Sequence, residues 1–234
     1  MISNKLRLDL RKYSSKQKAK ILKRFFKTGP GEYAQGDIFI GITVPRLRIL
    51  SYRYQDLAFN EILELLKSRI HEERFLALLI LMLKYRKVNL TGKQKIYKTY
   101  LSHSKYVNNW DLVDVSAKQI VGNFLEDKNR APLYELANSS SLWEKRIAII
   151  STFHFIENSD FKDTLKIAKI LILDSHDLIQ KAVGWMLREV GKRDRCCEEK
   201  FLRKYYRTMP RTMLRYAIER FKEPKRQAYL KGRV

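Results

Sequence analysis

The chain has 234 residues, enough for one sizeable domain or for an elongated repeat array. It carries 48 Lys and Arg against 25 Asp and Glu, a formal charge of +23, and an excess of that size predicts a polyanionic partner: DNA, RNA or an acidic membrane surface. Its two cysteines, Cys196 and Cys197, are neighbours that make neither a useful bridge nor a metal cluster, and its longest apolar run, Phe75 to Leu83, falls far short of a membrane span.

The opening stretch from Met1 to Leu10 has no apolar signal core, so a cytosolic protein is expected. Nine Gly, five Pro and no sustained alternation favour helices over strands. The first helix is expected over residues 14–27, closed by Thr28-Gly29-Pro30-Gly31. The glycine-flanked segment Gly36 to Ile42 has the wrong spacing for a dinucleotide loop and reads as a tight connection. It leads to Val44-Pro45, where proline at a helix's first turn is favourable. Helices follow over 44–53, 57–68, 71–86 and, after the break at Asn89 to Gly92, 91–103.

The next stretch, Tyr106 to Ala117, opens a helix over 109–122. Asn108 or Asn109 can cap it, and Asp111 suits its first turn. Trp110 and Asp114 then lie four residues apart on one face. Two readings stand. In one, Trp110 is core and Asp114 a salt-bridge partner; in the other, an aromatic plate and a carboxylate serve a cationic substrate. Further helices are expected over 129–138, 141–156, 160–173, 177–190, 195–206 and 210–221. Trp143, at a helix start, reads as a structural wedge. The tail from Lys222 holds too few apolar residues to pack independently and is expected to fray. The four histidines, His71, His103, His154 and His176, have no ligand spacing, so neither metal nor cofactor is expected.

Arg74, Trp110, Arg146 and Lys181 recur 36, 36 and 35 residues apart. That register predicts an all-α chain of HEAT-like two-helix repeats in a curved α-solenoid, a single domain over 1–234 with its repeat core over 14–221. It brings Trp110, Asp114, Arg146, Lys181 and Trp185 toward one basic concave stripe.

Four ordered motifs add a resemblance. Tyr33 to Arg46, Asn109 to Asp114, Leu142 to Ala148 and Gln180 to Glu189 are similar to the motifs of the AlkD family of bacterial DNA alkylpurine glycosylases. The matches run from about residue 30 to residue 221, and the interval from Asn123 to Ser140 departs from the pattern. The resemblance implies a HEAT-like fold holding duplex DNA. It also implies cleavage of the bond between deoxyribose and a purine alkylated at position 3 or 7, leaving an abasic site, without drawing the lesion into a deep pocket. It assigns Asp114 as the catalytic carboxylate, Trp110, Trp185 and Tyr33 as aromatics around the lesion's sugar, and Arg146 as a residue beside the DNA backbone. Lys181 joins Arg146 as a basic DNA contact by register.

The chemistry of the residues agrees with that assignment. A cationic purine leaves as a neutral base, so the difficulty is positive charge building on the sugar. A carboxylate stabilises that charge and orients water, and indole faces add cation–π attraction. Without a required Schiff-base lysine, a monofunctional enzyme is expected, acting as a monomer in the bacterial cytosol. A non-catalytic DNA-binding solenoid and a protein-binding scaffold are the alternatives; the charge opposes the scaffold, and a carboxylate in a cationic groove opposes pure backbone binding.

Overall fold

A computed structural model describes residues 4–234. Residues 1–3, part of the stretch read for a leader, lie outside the described residues. Among the described residues the chain is helical and forms no strand; an isolated parallel bridge joins Ile38 to Ile70. The chain divides into two compact units, Met1–Ser116 and Ala117–Val234.

The first unit holds α1 (Asn4–Lys12), α2 (Lys16–Phe25), α3 (Val44–Arg53), α4 (Phe59–Leu66), α5 (His71–Lys87), α6 (Leu90–Ser102) and nearly all of α7 (Trp110–Ala117). Helix α1 is additional to the expected set. It buries Leu6 and Leu10, one turn apart, and its Asp9 accepts from Arg53 and Tyr54 at 3.0 and 2.8 Å, tying it to α3. Hydrogen bonds from Lys12, Tyr54 and Arg53 hold the Asp9 carboxyl down at about 2. Helix α5 is buried along nearly its whole length, because an unbroken apolar run leaves no polar face for solvent.

The Gly36–Ile42 segment is the tight connection its glycines suggest. The buried Glu72 carboxylate accepts from the successive backbone N–H groups of Ile40, Gly41 and Ile42 at 2.7–3.3 Å. Gly41 sits at φ 81°, and a Cβ there would meet the Ser15 carbonyl at 2.1 Å, so only glycine fits.

The second unit opens with a π-helical turn, Lys118–Gly122, that continues from α7. It goes on through α8 (Ala131–Ala137), α9 (Leu142–Ser151), α10 (Phe153–Glu157), α11 (Lys162–Ile170), α12 (Asp177–Arg193), α13 (Arg195–Tyr205), α14 (Arg211–Ala217) and α15 (Glu223–Leu230). Two expected single helices are therefore interrupted. The 109–122 helix changes pitch after Ala117, and the 141–156 helix breaks at Thr152, whose hydroxyl bonds the Ile149 carbonyl at 2.7 Å. The tail expected to fray is instead the helix α15. Pro224 suits its first turn, and Tyr229, 1% exposed, meets Tyr206 and Phe221 edge-on at 5.3 and 5.5 Å. One well-placed aromatic is enough to dock it.

Candidate active site

Helix α7 is fixed at both ends. Asn109, 0% exposed, accepts the Trp110 N–H on its side-chain oxygen at 2.8 Å. At the other end the Ser116 hydroxyl lies 2.9 Å from the buried Tyr100 hydroxyl of α6 and donates to the Leu112 carbonyl at 2.5 Å. Leu112 and Val113 are buried, while Trp110 and Asp114 are half-buried on the face between core and solvent. A helix braced in this way holds its side chains to a narrow range of positions.

Trp110 belongs to an aromatic column. Its ring stacks on Phe26 at 5.1 Å, Phe26 stacks on Phe39 at 5.0 Å, and the His71 ring stacks on Phe39 at 4.5 Å. The Trp110 indole N–H donates to the Tyr33 hydroxyl at 3.2 Å, and Phe25, 60% exposed, meets Trp110 edge-on at 5.8 Å. Offset and edge-on ring pairs each add about 0.5–1.5 kcal/mol beyond area burial. Trp110 is thus packed in the column yet only half-buried, so the core reading and the functional reading each describe part of it. Asp114 lies one turn further on. Its charge joins burial in pushing the Tyr100 hydroxyl's pKa up.

Beneath this helix lies a polar network that spacing alone does not reveal. His71 Nε2 is 2.9 Å from Asp111 Oδ2, and Nδ1 is 3.4 Å from Asp37 Oδ2, which also accepts from Arg74 at 2.7 Å. Asp111 is therefore more than a first-turn charge. Desolvation raises the Asp37 carboxyl's pKa, but His71 and Arg74 outweigh it and hold it below the usual range. The signal available in the sequence is the run His71-Glu72-Glu73-Arg74, four polar residues heading a helix that is otherwise apolar and buried.

In the second unit Lys181 and Trp185 lie one turn apart on α12. Lys181 pairs with Asp177 at 2.8 Å. Trp185 is half-buried, meets Phe153 edge-on at 5.8 Å, and donates its indole N–H to Glu189 at 3.1 Å. Desolvation raises the Glu189 carboxyl's pKa, but Lys192 and Trp185 prevail and lower it. Gly184 lets α14 pass close by, since a Cβ there would meet the Met213 carbonyl at 2.4 Å.

Arg146, which the resemblance sets beside the DNA backbone, is buried within the second unit. It is 5% exposed and donates to the Leu178 carbonyl at 2.6 Å, joining α9 to the first turn of α12. The reason is local: from Arg146 to Ser151 every residue of α9 is buried, so its side chain runs beneath α12.

Cavities of about 810, 570 and 500 Å³ are lined by residues of α13, of the α8 and α11 region, and of α13 with α15. None of these linings includes a candidate residue. Among the described residues no group of three or more His, Cys, Asp or Glu could hold a metal ion, and no described helix is long and apolar enough to cross a membrane.

No curated protein matches the chain. A solved structure described as "Predicted DNA alkylation repair enzyme from Enterococcus faecalis" shares the fold, with a TM-score of 0.69 at 15% identity over 90% of this chain and 97% of that one. The profile of the family described as "DNA alkylation repair enzyme" matches residues 6–221, nearly the whole of both units and all six candidate residues. With that match, the chain belongs to the DNA alkylation repair enzyme family.

Proposed function

We propose that this enzyme is a monofunctional DNA glycosylase. It hydrolyses the N-glycosidic bond of cationic purines alkylated at position 3 or 7 in duplex DNA and leaves an abasic site. The observation that carries the reading is the pairing on α7: a carboxylate, Asp114, one turn beyond an indole, Trp110, whose helix is braced at both ends, in a chain of charge +23. A half-buried carboxylate in so basic a protein costs affinity for a polyanion, so it serves something other than backbone binding.

The bond from the sugar to the purine nitrogen breaks, and its electron pair neutralises the departing base. Asp114 faces the positive charge that develops on the sugar and takes the proton of the water that attacks there. Trp110 and Trp185 offer indole faces to that sugar, each worth about 0.5–2 kcal/mol. Tyr33 holds the Trp110 indole. Lys181 and Arg146 serve the DNA backbone, Lys181 from a half-exposed position and Arg146 mainly by fixing α12. The assignments of Trp185 and Arg146 rest on their motifs, and that of Lys181 on its register. In this reading the helix pairs are HEAT-like repeats presenting a basic face to DNA, and the enzyme works as a monomer in the bacterial cytosol.

The test is release of free alkylated base from methylated duplex DNA, measured chromatographically. Free 3- or 7-methylpurine with an intact, abasic strand is expected. Duplex binding without release would leave the alternative, a non-catalytic DNA-binding repeat protein that recognises bent or branched DNA.

A further inference from the structure

We propose that His71 is a positioning residue for this centre: a cationic imidazole clamped between Asp37 and Asp111 that sets the first turn of α7, and with it Trp110 and Asp114. The inference rests on the glycosylase reading for its catalytic consequence, but the clamp itself is a property of the first unit.

Both ring nitrogens face a carboxylate oxygen, Nε2 at 2.9 Å from Asp111 and Nδ1 at 3.4 Å from Asp37. A neutral imidazole has a single N–H, so one of its nitrogens would aim a lone pair at a carboxylate; the cation donates to both, strongly to Asp111 and at longer range to the Asp37 oxygen that it shares with Arg74, whose Nη2 lies 3.5 Å from Nδ1. The charged groups around the ring are Asp111 from α7, Asp37 from the segment joining α2 to α3, and Arg74 from α5 itself. The segment joining α2 to α3 contributes the Phe26 ring at 5.2 Å and Phe39 at 4.5 Å, and α5 adds Phe75 at 6.5 Å. With His71 charged, two cations meet two carboxylates and the buried group is neutral. Without that proton Asp111 loses its only cation in the group, and the buried group carries one net negative charge.

Burial by itself lowers the imidazole's pKa, but the bonds to Asp111 and Asp37 outweigh burial and the repulsion from Arg74, so the net shift is upward. A folded-state pKa raised above the ordinary value means that the clamp, formed while both carboxylates are ionised, outlasts the pH at which a free imidazole would lose its proton. It is lost as pH rises through the raised value. The same imidazole stacks on Phe39 in the column that ends at Trp110, so its loss is felt at both Asp111 and the indole. His71 is itself buried, so its effect on the centre passes through these neighbours.

Two readouts test the clamp, and one of them needs no activity. In ¹⁵N spectra of the whole protein the His71 ring, assigned with His71→Gln, should be protonated on both nitrogens at neutral pH, with a midpoint above the ordinary value of about 6.5. The Trp110 indole N–H resonance should move with the same midpoint. Asp111→Asn keeps a hydrogen bond but removes the carboxylate, and should lower that midpoint. Single-turnover release of methylpurine should fall about 10-fold through it, as expected when reacting groups are misplaced by a fraction of an ångström. His71→Gln should show the low rate at every pH while binding duplex DNA as wild type does. A neutral ring at neutral pH, an indole resonance indifferent to pH, or a His71→Gln protein with the wild-type pH profile would each overturn the proposal. If the wild-type protein releases no base while ring and indole titrate together, the glycosylase reading fails and the clamp on α7 stands.

Discussion

The Trp110 indole N–H donates to the Tyr33 hydroxyl at 3.2 Å, joining the start of α7 to a loop 77 residues earlier. The stacking of Trp110 on Phe26 does not depend on that bond. Tyr33→Phe should therefore keep the ring in its column and remove the acceptor. A neutral hydrogen bond contributes on the order of 1 kcal/mol, so base release should fall about fivefold. The thermal midpoint should hardly move. A loss as large as that from removing the carboxylate of Asp114 would mean that Tyr33 touches the lesion itself.

Arg146 supplies a prediction about stability as well as binding. Its buried guanidinium bonds the Leu178 carbonyl at 2.6 Å, so Arg146→Ala leaves a gap between α9 and α12 and removes a charged donor. Hydrogen bonds to charged groups contribute about 1.5–3 kcal/mol, and urea denaturation should register a loss of that order. Duplex affinity should fall for damaged and undamaged DNA alike, measured on the folded fraction. Unchanged stability would place the guanidinium elsewhere in solution, free to reach a phosphate.

Local features of the fold and site are legible in the amino-acid sequence, and distant ones are not. Trp110 and Asp114 are visible because a spacing of four on a helix puts two side chains on one face, and the turn chemistry of Gly41 and Pro45 is equally local. The His71 network is hidden because its partners, Asp37 and Asp111, lie 34 and 40 residues away and no motif spacing links them. The burial of Arg146 is hidden for a related reason: a basic residue on a helix is ordinarily exposed, and only the packing of α9 against α12 reverses that. Tyr229 docks α15 through two aromatic contacts that a count of apolar residues in the tail does not register.

Glu198 gives the clearest dependence of stability on pH. It sits buried on α13, where burial, opposed by Arg195 and aided by Glu199, pushes its carboxyl up to about 8. The folded protein thus keeps a proton that the unfolded chain releases near the ordinary value of 4.5, and stability declines as pH rises between the two. Glu198→Gln removes that titration while nearly preserving shape. It should raise the thermal midpoint at pH 8–9, by about 2–4 °C for each kcal/mol recovered, and change it little near pH 5. Calorimetric scans across this range check the sign; equal shifts at both ends would mean that Glu198 remains ionised in the folded state.

Asp114→Asn separates chemistry from binding. The amide keeps the size of the side chain and its capacity for hydrogen bonds, and it removes the negative charge. If Asp114 stabilises positive charge on the sugar, single-turnover base release should fall by on the order of 100-fold or more, the usual loss when an electrostatic stabiliser of a transition state is removed. Duplex affinity should hold or rise, because one repulsive charge is taken from a chain of +23. The thermal midpoint serves as the folding check, since a carboxylate that merely braces α7 would lower it. A variant that folds normally, binds duplex DNA and releases alkylpurine at the wild-type rate would remove Asp114 from the chemistry and leave the chain a DNA-binding member of its family.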